Sequence, residues 1–182
     1  MCPPVMRLTK IEVAEKQLRE AIRLFAEGRD PVTVQTVVGA AHQVLTDLAR
    51  KNGFGSVIKD SSYVRPEKKK EWITLVNSAP NFFKHADLDP EAVLDFRPEF
   101  TKFLLFDAVE MYLILQKSLF WEGVVCRAWI YVNYPQFLAD QGFRSQCENF
   151  AQQLGTQVSD FGKALETVER LVYSGRISIP GI

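Results

Sequence analysis

The sequence predicts an all-α protein, a single domain (1–182) of five to seven helices bundled around one buried helix over about residues 98–118. Three observations carry that reading. Between Phe103 and Leu115 every residue is apolar or Tyr except Asp107 and Glu110, and a helix apolar on nearly every side needs neighbours on nearly every side. Apolar residues recur at helical spacing on both sides of it, and no stretch alternates as a half-buried strand does. The apolar run is also too short for a bilayer, which takes about 20 such residues.

The first helix is announced by Thr9 and Glu12, a capping box in which each side chain satisfies a backbone N–H at the helix start. Ile11, Ala14, Leu18, Ala21, Ile22 and Phe25 then form one apolar face, and Gly28 ends it. Asp30 and Pro31 restart the chain at once as cap and first helical residue. The second helix runs to about Lys51, with Val34, Val37, Val38, Ala41, Leu45 and Leu48 inside and Asn52-Gly53 as its stop. So short a linker predicts an antiparallel helical hairpin. Residues 53–65, rich in Gly and Ser, read as a flexible connection, without the strand and helix that a phosphate-cradling loop needs.

Pro66 is expected to open a third helix, with Lys68, Lys69 and Lys70 on a solvated face. Pro80 and Pro90 bracket a short helical turn leading into an irregular loop, and Val93–Phe96 reads as briefly extended. Beyond the central helix, the aromatic stretch after Leu119 continues helical to about Tyr134, where Pro135 breaks it. Two more helices follow, roughly 145–153 and 159–173, the latter capped by Ser159. The tails, 1–8 and 174–182, read as extended or frayed.

Hydrophobic residues at 47% and charged residues at 24% suit a globular chain rather than a disordered one. The 22 basic and 22 acidic side chains cancel, which argues against bulk nucleic-acid binding and leaves room for a local patch. No apolar targeting segment opens the chain, and Cys2, Cys126 and Cys147 form no CxxC pair, so a cytoplasmic protein with reduced thiols is expected.

Chemistry, if present, rests on few residues. His42 lies beside the apolar face of the second helix, and His85 lies in the loop ahead of the central helix with Lys84, Asp87 and Asp89 around it. Asp107 and Glu110, three apart, share one side of the central helix. They form a solvent-facing stripe, pair with Arg or Lys from a neighbour, or join His42, His85 and Asp87 in a ligand pocket. Helical di-metal sites show Glu-x-x-His pairs on two helices, and this chain has none, so neither metal nor cofactor is expected. Polar residues in a loop make His85 the candidate for acid/base work.

The segments 18–48 and 81–90, the latter reading NFFKHADLDP, resemble a family of short, uncharacterised bacterial all-helical proteins. That likeness covers much of the first 115 residues and implies no activity. A helical bundle bearing Asn81-Phe82-Phe83-Lys84-His85 is also similar to HEPN domains, helical domains of bacterial defence and toxin systems, many of them RNases. Their motif is an Arg, a polar residue, a short gap and a His. Asn81 matches the polar position and His85 the histidine, while Pro80 stands where the Arg would be. The resemblance implies His85 as acid/base, Asn81 and Lys84 as phosphate or ribose contacts, and Lys68–Lys70 as an electrostatic aid.

Three functions follow. The first is a helical module that binds a protein partner or a second copy of itself, suggested by the excess of aromatic residues from Phe120 to Phe137. The second is an RNA-directed protein or RNase acting through His85. The third is a small-molecule or metal-binding bundle using His42, His85, Asp107 and Glu110.

Overall fold

The computed structural model describes residues 5–56, 59, 67, 69–85, 87, 89–134, 145–149, 152 and 158–177. The chain is all-helical, as predicted, and no strand occurs among the described residues. The helices are α1 (Lys10–Ala26), α2 (Pro31–Lys51), α3 (Lys69–Phe82), α4 (Thr101–Gln116), α5 (Trp121–Asn133) and α6 (Phe161–Tyr173); one 3-10 turn, Pro98–Phe100, leads into α4.

Local chemistry sets the first hairpin. The Thr9 backbone N–H donates to Glu12 Oε2 at 2.7 Å, and the Glu12 N–H returns to Thr9 Oγ1 at 3.3 Å. Asp30 caps α2 by accepting the Thr33 N–H at 2.9 Å, with Pro31 at the first helical position. Ala14, Leu18, Ala21 and Ile22 of α1 then close completely against the α2 face carrying Val38, Ala41 and Leu45. The centre of the bundle is shared by α1, which touches α2, α4, α5 and α6, and α4, which lies against α2, α1 and α5. Nine of the sixteen residues of α4, from Thr101 to Tyr112, are buried, so its enclosure follows from its composition.

The structure departs from the expected element limits at several points. The third helix is described over Lys69–Phe82, with its predicted opening at Pro66 outside the described residues, and it runs through Pro80 to Phe82 instead of stopping at the proline. Proline removes one N–H of the last turn, and Pro80 is used instead for packing: its ring lies where a Cβ on Gly39 of α2 would meet it at 3.6 Å. The central helix does not flow into the next one. Lys117 adopts the left-handed region at φ 59°, ending α4, and α5 begins only at Trp121. Asp160, not Ser159, caps the last helix, through the Lys163 N–H. Residues 145–149 are helical, and the rest of the predicted helix to 153 lies largely outside the described residues, as do the predicted break at Pro135 and the ends of both tails.

An ion cluster ties the outer helices together. Glu122 of α5 is 0% exposed, and its Oε1 accepts from Arg19 at 3.2 Å and Arg23 at 2.8 Å, both on α1. Arg23 also reaches Glu169 of α6 at 3.1 Å. The two guanidiniums lie over the rings of Phe120 and Trp121, a cation–π contact for each.

Two stability measurements test this account in urea. Lys117→Gly is expected to stabilise the fold by about 1 kcal/mol, the cost of holding a side chain in the left-handed region; a loss of stability would contradict the assigned helix stop. Glu122→Ala is expected to cost about 3 kcal/mol, the lower end for breaking a buried ion pair, because both arginines stay one-third exposed. A change below about 1 kcal/mol would mean that the cluster does not join α1 to α5.

Candidate functional site

Helical spacing places His42 on the buried face of α2, one turn before Thr46. His42 is 2% exposed, and its Nε2 lies 2.6 Å from Asp107 Oδ2 on α4. Asp107 is 0% exposed, and the same oxygen accepts the Ser56 hydroxyl at 2.6 Å. On the other side of the ring, Nδ1 stands 3.5 Å from Thr46 Oγ1, which donates at 2.7 Å to the His42 carbonyl. Ser56 accepts the backbone N–H of Lys59 at 2.8 Å. The result is a buried chain from Lys59 through Ser56 and Asp107 to His42, joining the connection after α2 to the two central helices. The carboxylate sits in the middle, between imidazole and hydroxyl, so the serine is not activated by the histidine as a nucleophile requires.

The other acid of α4 goes elsewhere. Glu110 pairs with Arg127 of α5, whose guanidinium covers the ring of Tyr131 at 5.1 Å. Burial pushes the Glu110 carboxyl above the ordinary glutamate range, and Arg127 opposes the shift. Neither acid forms the solvent-facing stripe that their spacing allowed. Asn81, Lys84, His85 and Asp87 are all exposed, in and after the last turn of α3. The Lys84 and His85 N–H groups both donate to the Asn81 carbonyl at 3.1 Å, a turn that continues the helix briefly. The structure therefore unites His42 with Asp107, and it leaves His85, Asp87 and Glu110 outside that cluster. Among the described residues no group of three His, Cys, Asp or Glu side chains is placed to hold a metal.

Three participants escape the sequence reading. Ser56 and Lys59 stand in a connection whose composition suggests solvent, yet both are buried, and nothing in their spacing signals it. Glu122 did carry a signal: it is a lone acid in the apolar stretch from Leu119 to Cys126. Cys126, expected to be packing, is buried, and burial pushes its thiol up to about 12, far from a reactive thiolate. A cleft of about 490 Å³ opens elsewhere, between the start of α1 and the ends of α2 and α4, lined by Ile11, Leu48, Phe54, Leu115 and Lys117 among others. None of the predicted site residues lines it.

Compared with protein families, curated proteins and solved structures, the chain matches none. The site therefore has to be read from its own geometry. No helix among the described residues is long and apolar enough to cross a membrane.

Asp107→Ala strands the buried donors of His42 and Ser56 and is expected to lower stability by about 2–6 kcal/mol, at about 1–3 kcal/mol for each. Glu110→Ala should cost less, since Glu110 and Arg127 both keep some contact with water. Chemical denaturation of the two variants side by side checks the order; the reverse order would mean that Asp107 is not the enclosed acid.

Proposed function

We propose that this chain is a helical module that works by protein association, with a second copy of itself as its first partner, rather than an enzyme. The observation that carries the reading is the aromatic segment between α3 and α4. Phe82 and Phe83 meet edge to face, as do Phe83 and Phe96; Phe100 lies against Phe103, and Phe103 against Tyr134. Each group leaves a ring in water: Phe82 is 37% exposed and Phe100 55%, with Val93 between them in sequence at 92%. Large apolar side chains on a supported edge are what interfaces favour. The zero net charge of the chain supports pairing between copies, because like molecules then do not repel. The buried state of His42 and Asp107, satisfied by each other and by Ser56, supports a structural role for the most reactive-looking pair. A cytoplasmic setting belongs to the same proposal and is supported by the buried thiol of Cys126, which is in no disulfide; a bacterial one rests on the resemblance of residues 18–48 and 81–90 alone.

Sedimentation or light scattering between about 1 and 100 µM, at or above the micromolar Kd that marks the weak end of standard-size interfaces, is expected to show twice the 20.7 kDa mass of one chain. Replacing both exposed rings (Phe82→Ser with Phe100→Ser) should weaken pairing at least about tenfold and leave the helical circular dichroism unchanged. A wild-type chain that stays monomeric throughout sinks the self-association. RNA cleavage lost in His85→Ala would put the RNA-directed reading in its place.

A further inference from the structure

We propose that the cleft between the start of α1 and the ends of α2 and α4 binds a medium-chain monocarboxylate, its hydrocarbon on the apolar floor and its carboxylate on Lys117. Two helix stops build this cleft. At the end of α2, Gly53 turns left-handed at φ 79°. The Gly53 N–H then donates to the Arg50 carbonyl at 3.1 Å and the Phe54 N–H to that of Ala49 at 2.9 Å. That paired closure brings the residue after the glycine back over the last turns of the helix, and Phe54 and Leu48 accordingly line the same cleft. At the end of α4, Lys117 turns left-handed at φ 59°, its N–H donating to the Leu113 carbonyl at 2.8 Å. Its ammonium stands 5.5 Å from the centre of the Phe54 ring, so the two stops meet across the opening.

The space between them is about 490 Å³, within the range of small-ligand pockets. Ile11, Leu48, Ile114 and Leu115 are half-buried along it, and Phe54, 42% exposed, stands at the rim with Asn52, Gln116 and Lys117. Among the described residues the lining contains one charged group, Lys117, and no acid. The Lys117 ammonium makes no ion pair and no hydrogen bond among the described residues; its contact is the Phe54 ring. Glycine would hold that backbone with less strain, so the lysine keeps a cation at the cleft against a conformational penalty. An apolar floor under a lone cation suits a ligand with a hydrocarbon body and one negative head.

The helix ends decide how much charge that head carries. Two helix C-termini meet here, and their partial negative charge, offset in α2 by Arg50 and Lys51 of its last turn, disfavours a second negative charge. The start of α1 offers little to a phosphate, because the Thr9 and Glu12 N–H groups are taken by their own capping box. A single carboxylate on an apolar chain satisfies both conditions. Each CH2 that the walls enclose strengthens binding about fourfold, whereas an exposed ion pair adds at most about fivefold. The hydrocarbon therefore supplies most of the affinity and Lys117 the choice of head group.

The test uses the full chain, with decanoate, decanol and decylamine as separate probes by calorimetry, each below the concentration at which it self-associates. Wild type should bind decanoate saturably, one per chain, with Kd of about 0.1 mM, and octanoate at least about tenfold more weakly. Decanol should bind about threefold more weakly than decanoate, and decylamine more weakly still. Lys117→Arg should keep that order. Lys117→Gly, which relieves the backbone strain and so folds at least as well, should bind decanoate and decanol alike. Phe54→Ser, at the exposed rim, should weaken all three probes at least about threefold. Phe82→Ser with Phe100→Ser should weaken none, which separates the cleft from the exposed rings proposed for self-association. The proposal is overturned by an absence of saturable decanoate binding to wild type, or by decanol or decylamine binding as tightly as decanoate. It is also overturned by an unchanged preference in Lys117→Gly, or by affinity lost with Phe82 and Phe100 and kept without Phe54.

Discussion

The fold rests on a constraint imposed by α4: an enclosed helix that carries two carboxylates three residues apart. A buried, unpaired charge costs several kcal/mol, so each acid has to meet a donor on a neighbouring element. Asp107 meets His42 of α2 and Ser56 of the connection; Glu110 meets Arg127 of α5. Turning α4 by one residue, about 100°, would drive both acids into hydrocarbon. The apolar residues around them, Leu104, Leu105, Ala108 and Val109, make no comparable demand, since hydrophobic contacts tolerate repacking. The acids therefore choose the rotation of the central helix, and the apolar residues supply most of the adhesion.

Glu122 works by the same rule at the outer seam. It brings α5 to the two arginines of α1, and Arg23 passes the contact on to Glu169 of α6. One of its oxygens, Oε2, has no hydrogen bond among the described residues, so the pairing is strong on one side and incomplete on the other. Such clusters add specificity more than net stability, because removing charge from water offsets most of the attraction. The side chains that look most chemical in this chain are in large part the ones that define which helices are neighbours. What remains for function lies, among the described residues, where the framework leaves large apolar side chains in water: the exposed rings between α3 and α4.

Much of the architecture was legible in the sequence. The Thr9–Glu12 box, the Gly28 to Pro31 break and the Asn52-Gly53 stop are local signals, and local hydrogen bonding decides them. The enclosure of the central helix was legible because composition alone forbids an exposed face over most of Phe103–Leu115. Boundaries governed by packing were not legible. Proline at 80 predicted an end, yet the opposed Gly39 makes room for its ring, and the left-handed turn that ends α4 falls on Lys117, with no glycine there to announce it.

The sequence by itself determined the helices, their order and the hairpin of the first two, because capping and periodicity act within a few residues. Only the tertiary structure decided that His42 and Asp107 share a proton-bridged contact, that Glu110 turns away to Arg127, and that a Gly- and Ser-rich connection sends Ser56 and Lys59 indoors. Those pairings span about 50 residues or more in all but one case, and partner choice at that range depends on which helix faces are pressed together, information that no local pattern contains.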